Sequence, residues 1–309
     1  MVNLRDLKQR QALPLKAKIN LTNRRIRDWY EHYNGNVYIS FSGGKDSTVL
    51  LYLVRKLYPE VPAVFCDTGL EYPEIKDFVK TFNNVITIRP KMNFKQVLDK
   101  YGFPVVSKKV ARQIRDLQNP TKNNENSRKL YLKGIKKDGT KSNYFKLPNK
   151  WHKLINAPFK VSEKCCDVMK KKPLKEYEKQ SKRTSFVGTM AKDSRQRQFS
   201  YIKTGCSNFK VGKCMPISFW LEKDIWSYIK QKKLKYCKVY DTGVTNTGCI
   251  YCMFGVHLEG EPNRFQCMQK SHPQLYSYCL NKLGLKEVLR FINVNYKLTD
   301  GGEFFSSQP

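Results

Sequence analysis

The sequence predicts an α/β fold built on a doubly wound parallel sheet, and three observations carry that prediction. Short apolar runs at 37–41, 61–67 and 85–88 alternate with helical patterns at 46–57 and 73–82. That order makes the strands parallel and puts helices on both faces. The first two runs each end in a polar, glycine-containing loop, at 42–47 and 67–71. Ligands of such sheets bind at the carboxyl ends of the strands, so the two loops are expected to face one pocket. The chain has 309 residues, 40% of them apolar, enough for one large domain with an appendage or for two domains.

Taken in order, residues 15–33 carry Leu15, Ile19, Ile26, Trp29 and Tyr30 among basic residues, near-helical spacing that predicts an amphipathic lead-in helix within segment 1–35. Residues 36–118 are expected to form the half that carries the loops at 42–47 and 67–71, closing with a basic helix expected over 94–116. Segment 119–160 reads as a basic insertion, and its residues 119–150, poor in apolar residues and rich in Asn, Lys, Gly and Ser, as an inserted loop or β-hairpin. Segment 161–260 is a second half: a strand at 184–189 runs into Ala191–Arg197, and Pro216–Trp220 precedes a helix near 222–232. Segment 261–309 is mainly helical over 262–292 and loose from Asn293 onward. No internal repeat is present.

The stretch Ser42-Gly43-Gly44-Lys45-Asp46-Ser47-Thr48 behind the first strand is the most informative of the chain. A strand, a glycine turn and a helix start aim backbone N–H groups at one point, where a phosphate is held. Gly43 and Gly44 let the backbone approach an anion. Ser42, Ser47 and Thr48 add hydroxyls, Lys45 adds charge, and Asp46 is placed to hold Mg²⁺ or orient the loop. The spacing is neither G-x-x-x-x-G-K-[ST] nor G-x-G-x-x-G.

Net charge is +32, from 58 Lys and Arg against 26 Asp and Glu. Such an excess fits a polyanionic partner, most naturally nucleic acid, tRNA or DNA. It concentrates in 121–182, with 18 basic and 6 acidic residues, where Tyr131, Tyr144, Phe145 and Trp151 are candidates for stacking on bases. No apolar run nears the roughly 18 residues that span a bilayer. The polar start Met1–Asp6 has no signal-peptide core and no glycine after Met1, so a cytoplasmic protein without membrane association is expected. His32, His152, His257 and His272 show no triad-like arrangement.

Ten cysteines in a cytosolic chain do not predict structural disulfides. Six are scattered. Cys165 and Cys166 are adjacent, and Cys249 and Cys252 form a C-x-x-C pair. Four thiolates can hold tetrahedral zinc or an iron–sulfur cluster, and adjacent cysteines suit a cluster better. A redox C-x-x-C beside an unrelated Cys-Cys is the third reading.

The string SGGKDS resembles the PP-loop of the ATP pyrophosphatases. The Cys-Cys and C-x-x-C pattern resembles the [4Fe–4S] site of bacterial sulfonucleotide reductases. Asp67–Glu74, Lys172-Pro173-Leu174 after the Cys pair, Gly188–Arg195 and Pro216–Trp226 also look like segments of those reductases. Over residues 20–260 the chain is similar to the phosphoadenosine-phosphosulfate reductase-like superfamily of PP-loop proteins. The resemblance implies a Rossmann-like PP-loop fold whose C-terminal part carries cluster cysteines. It implies ATP and Mg²⁺ bound by Ser42, Gly43, Gly44, Lys45, Asp46 and Ser47, with Lys45, Asp46 and Ser47 acting in catalysis. Asp67, Thr68, Gly69, Gly188 and Arg195 would line the nucleotide, with Arg197 a further phosphate or substrate candidate. Cys165, Cys166, Cys249 and Cys252 would hold a [4Fe–4S] cluster.

The chain departs from the reductases in two places. Thr189 replaces an arginine, and the sequence shows no terminal Glu-Cys-Gly-Leu-His and no cysteine after Cys279. Cys267 and Cys279 are the candidates to replace that nucleophile. Related PP-loop proteins, the tRNA thiolases and the ATP pyrophosphatase of DNA phosphorothioation, adenylate a nucleic-acid oxygen before sulfur replaces AMP. The expected function is therefore ATP-dependent sulfur transfer to nucleic acid. Its expected partner is a cysteine desulfurase or another sulfur donor, and a homodimer is the assembly to test for. The alternatives are a phosphoadenylyl-sulfate or adenylyl-sulfate reductase and a non-catalytic nucleotide-dependent nucleic-acid-binding protein.

Overall fold

The computed structural model describes residues 3–298. Its eight strands are β1 (Val37–Ser40), β2 (Ala63–Cys66), β3 (Val85–Ile88), β4 (Val105–Val106), β5 (Thr184–Val187), β6 (Ser207–Asn208), β7 (Lys213–Cys214) and β8 (Met253–Phe254). The chain forms two compact units. One comprises residues up to Lys91 with Lys170–Gly248, and the other comprises Met92–Met169 with residues from Cys249 onward.

The first unit is an α/β Rossmann-like domain around a six-stranded sheet of order β3-β2-β1-β5-β7-β6. β1 pairs in parallel with β2 and β5, bringing Ser40 opposite both Val64 and Val187. The loops that leave these strands therefore emerge at one edge of the sheet. Only the β6–β7 pair of this sheet is antiparallel, so the sheet is mostly parallel with one antiparallel edge. Val37, Ile39, Ala63 and Phe186 are fully buried at the sheet centre. Helix Lys45–Leu57 packs on β1 and β5 and against helices Leu15–His32 and Glu222–Lys232. It buries Val49, Leu50, Leu53 and Val54, the i, i+1, i+4, i+5 stripe of a core-facing helix. On β1, Tyr38 reaches helix Lys172–Ser181, donating its hydroxyl hydrogen to Glu178 Oε1 at 2.9 Å.

In the second unit the expected helix over 94–116 is two helices, Phe94–Tyr101 and Lys108–Gln118, separated by β4. Gly102 (φ +99°) ends the first, and a Cβ there would sit 2.4 Å from the Lys160 backbone. Pro104 cannot continue a helix. Segment 119–150 is not a plain loop or hairpin. Helix Glu125–Lys133 fills much of it, stopped by Gly134 at φ +71°, before one antiparallel bridge joins Ile135 to Lys141. The expected loose tail is corrected for 293–298. Val294 and Tyr296 are buried, and carbonyls 295–297 accept from Asn263, Tyr276 and Gln266. The rest of that tail lies outside the described residues.

Candidate functional site

Gly43 takes φ +73°, a conformation glycine adopts freely, and a Cβ there would come within 2.9 Å of Ile75 and Val79 on helix Pro73–Lys80. Gly44 is the N-cap of helix Lys45–Leu57. Ser47 Oγ donates to Gly44 O (2.9 Å), accepts from Ser42 N–H (3.2 Å) and lies 3.0 Å from Ser42 Oγ. Gly188 abuts this turn from the end of β5. A Cβ on it would stand 3.0 Å from Ser47 Cα and 3.1 Å from Asp46 O, so what the structure assigns to Gly188 is close packing.

Lys45 is 3% exposed, and its donors converge with the helix N-terminus. Its backbone N–H donates to the Tyr240 hydroxyl (2.8 Å) and its Nζ to Thr245 O (2.7 Å). Nζ also lies 3.1 Å from Glu222 Oε1 and 5.3 Å from the Tyr240 ring centre. Tyr240 and Thr247 share a 3.1 Å hydrogen bond, and a Cβ on Gly44 would lie 2.5 Å from Thr247 Oγ1. Segment 240–247 thus presents oxygen atoms to the groups that would hold a phosphate. Glu222, Tyr240, Thr245 and Thr247 are the site residues that sequence reasoning missed. A Tyr-Asp-Thr-Gly loop is visible in the sequence, but nothing local ties it to a loop some 195 residues away.

Asp46 Oδ1 is buried and has no hydrogen-bond partner among the described residues. Burial pushes its carboxyl up to about 6, with Asp193 and Glu222 adding and Lys45 and Arg197 opposing. A buried carboxylate oxygen without a partner, beside a cationic anion seat, suits a Mg²⁺ ligand. Between the unfolded value of 3.8 and about 6 the folded state holds more protons, so stability should fall as pH rises through that window. The penalty is fully present at neutral pH. Asp46→Asn should flatten this slope, checked by urea midpoints at about pH 4 and about pH 7.

Asp67, Thr68 and Gly69 form a separate turn at the end of β2. Thr68 donates to Glu71 from both N–H (3.1 Å) and Oγ1 (2.7 Å), and Gly69 takes φ +75°. Asp67 pairs with Lys76 (2.9 Å) and Arg89 (3.2 Å). Burial alone would raise its carboxyl, but the Lys76 hydrogen bond, the Gly69 N–H and the two cations outweigh it and hold it below the usual range. The two loops share helix Pro73–Lys80, which supplies Ile75 and Val79 to one and Lys76 to the other. Arg195 opens helix Arg195–Thr204 and is exposed, while Arg197 pairs with Asp193.

The four cysteines of interest all lie in the second unit. Cys165 and Cys166 open a helical stretch that passes directly into a π-turn at Asp167–Lys171, a local form frequent at functional sites. Cys249–Cys252 is a turn, with Cys252 N–H donating to Cys249 O (3.1 Å) and Arg264 holding Cys252 O (3.0 Å). Both segments flank one strand region. Val161 bridges to Phe103, and Met253, next after Cys252, pairs with Val105 of β4. Val106, β-branched at φ +62°, is strained there. Among the described residues no three His, Cys, Asp or Glu converge as they would around a single ion. A four-iron cluster instead takes each thiolate on a different iron, and thiols are the donor type it requires.

Cys267 and Cys279 do not have the surroundings of nucleophiles. Burial pushes Cys279 up to about 12 and its Sγ donates to Tyr276 O (3.2 Å); burial and Glu259 raise Cys267. Both stay protonated at neutral pH, and the thiol is the unreactive form.

The sequence matches the profile of the phosphoadenosine phosphosulfate reductase domain over residues 36–148 and 103–254. An adenosine 5′-phosphosulfate reductase of Staphylococcus epidermidis is 26% identical over 229 residues, 74% of each chain. An uncharacterised protein of Methanocaldococcus jannaschii is 26% identical over 268 residues, 82% of this chain, which spans about half (49%) of that relative's length. A crystal structure of phosphoadenylyl-sulfate reductase from Candida auris, a phosphate complex, aligns with TM-score 0.42 and 14% identity, over 81% of this chain and 96% of that one. Among the described residues no helix is long and apolar enough to cross a membrane.

Proposed function

This chain belongs to the phosphoadenosine phosphosulfate reductase domain family, and from that premise we propose that it is an ATP pyrophosphatase that adenylates a nucleic acid for sulfur transfer. The observation that carries the reading is the convergence of the Lys45 N–H and Nζ beside the partnerless buried Asp46 Oδ1. Together they make a seat for a phosphate chain and its Mg²⁺.

In this reading an oxygen of the acceptor attacks the α-phosphorus of ATP. The bond from that phosphorus to the bridging oxygen breaks, and pyrophosphate leaves with the electron pair. Lys45 and the N-terminus of helix Lys45–Leu57 stabilise the charge that grows on the leaving group, and Asp46 holds the cation. Ser42 and Ser47 fix the turn through their mutual contact. A sulfur nucleophile from a partner donor, a cysteine desulfurase by class, then displaces AMP. The charge of +32 supports a polyanionic acceptor over a small molecule.

Cys165, Cys166, Cys249 and Cys252 are assigned to a [4Fe–4S] cluster. When bound it supplies a fixed charge and an electron-transfer centre.

The test is anaerobic purification followed by pyrophosphate release from ATP, alone and with bulk tRNA or duplex DNA. Stimulation by one of them is expected and names the acceptor class. Iron and acid-labile sulfide should be found in the same preparation. Sulfite release from adenylyl sulfate or its 3′-phosphate with thioredoxin, and no pyrophosphate from ATP, would establish the reductase instead. The protonated Cys267 and Cys279 weigh against that second reading.

A further inference from the structure

We propose that the second unit carries a stacking platform for unpaired bases, made by Tyr144 and Phe145 and set by Lys109 and Gln113. The proposal rests on the nucleic-acid reading above and names the surface and the form of the polymer it takes.

Tyr144 is 74% exposed and Phe145 41%. Their ring centres lie 4.9 Å apart at 87°. Isolated exposed rings are ordinary, but these two are held in place. Lys109 Nζ donates to Tyr144 O, and Gln113 Nε2 donates to Phe145 O at 2.6 Å. The two donors are one turn apart on helix Lys108–Gln118, and Gln113 is only 2% exposed. A buried amide thus anchors the backbone of an exposed aromatic pair. Lys109 Nζ also sits 4.1 Å from the Tyr144 ring centre and 5.7 Å from that of Phe145. The ammonium covers one side of the Tyr144 ring and is itself placed for a phosphate.

The chain around the pair is mainly basic. Lys108, Lys133, Lys136, Lys137 and Lys141 are exposed, whereas Asp138 is engaged by Thr140 in its own turn. Exposed rings in a lysine-rich stretch match a single strand: bases stack on the rings while the cations follow the phosphates. In a duplex the base faces are already stacked and hidden. The platform also narrows the sequence expectation. Trp151 is 6% exposed with its ring against His257, so it cannot receive a base.

The test measures anisotropy of labelled oligonucleotides titrated with the full chain. Single-stranded RNA, single-stranded DNA and a duplex of equal length are each run at several salt concentrations. The single strands should bind more tightly than the duplex, and the RNA and DNA arms identify the source. Tyr144→Ala should weaken single-strand binding by about 5- to 100-fold, the worth of one stacked base, and Tyr144→Trp should preserve it. Lys109→Ala should weaken binding and lower the salt slope by about one ion. Lys282→Ala, an exposed charge on helix segment Tyr278–Lys282, is the control for charge alone. Equal affinities of wild type and Tyr144→Ala, with thermal unfolding unchanged, would overturn the platform. So would duplex binding as tight as single-strand binding. A Tyr144-dependent affinity with no nucleic-acid effect on pyrophosphate release keeps the platform and removes the adenylating function, so the two failures read differently.

Discussion

Substituting methionine for Lys18 should destabilise the first unit by about 3–5 kcal/mol, read as a fall in its urea midpoint by tryptophan fluorescence. Lys18 is 1% exposed, and its Nζ lies 2.6 Å from Asp224 Oδ2. The pair joins helix Leu15–His32 to helix Glu222–Lys232 across 206 residues of sequence. Removing the ammonium leaves Asp224 charged and buried, with the Leu221 N–H (2.7 Å) its remaining recorded donor. An uncompensated buried charge is what makes breaking such a pair costly, far more than the pair itself contributes. Lys18→Met with Asp224→Leu should therefore recover most of the loss, a non-additivity that a double-mutant cycle reads directly. Lys16→Met, at an exposed site on the same helix, should change stability by less than about 0.5 kcal/mol. A Lys18 variant as stable as the Lys16 one would show that water reaches Asp224. Trp29 and Trp220 report locally, since Trp220 Nε1 donates to Thr22 Oγ1 at 2.9 Å.

Lys45→Ala should lower pyrophosphate release by about 10²- to 10³-fold, the usual consequence of losing one preorganised donor to developing charge. Its ion-pair partner Glu222 is 56% exposed and is not stranded by the truncation, while the buried Asp46 carboxyl loses an opposing charge and is pushed further up, so folding of the variant is checked by its urea midpoint. Tyr240→Phe should act in the opposite direction. The Tyr240 hydroxyl accepts the Lys45 N–H that a phosphate would take, so its removal should tighten ATP binding several-fold. Isothermal titration with MgATP separates these effects from turnover. Unchanged affinity in Tyr240→Phe would mean that segment 240–247 leaves the seat without cost. Unchanged turnover in Lys45→Ala would remove the loop from the chemistry.

Much of the first unit was legible because its signals are local. Alternating apolar runs and helical patterns located β1, β2, β3 and β5, and Glu222–Lys232 matched its expected bounds. Gly43 and Gly44 announced a special turn, and the structure gives the reason: a side chain at either would strike Ile75, Val79 or Thr247. Reading failed where the pattern was weak. Helicity over 94–116 was broken by Gly102 and Pro104, both visible yet outweighed by periodicity. The polarity of 119–150 hid helix Glu125–Lys133, whose stripe includes no fully buried residue. Segment 293–298 alternates polar and apolar residues and is held by the buried Val294 and Tyr296 and by its backbone carbonyls, partners that its composition cannot report.

By itself the sequence determined the α/β class, the glycine turn after the first strand, the cysteine pairs and the charge, because each is written in residue types at short spacing. Only the tertiary structure decided that Gly188 is a packing glycine, that Tyr240, Thr245 and Glu222 meet Lys45, and that Tyr144 and Phe145, not Trp151, face outward. Those outcomes depend on distances between segments far apart in the chain. Nothing in the local pattern of a tyrosine or a glycine encodes which remote backbone it will meet.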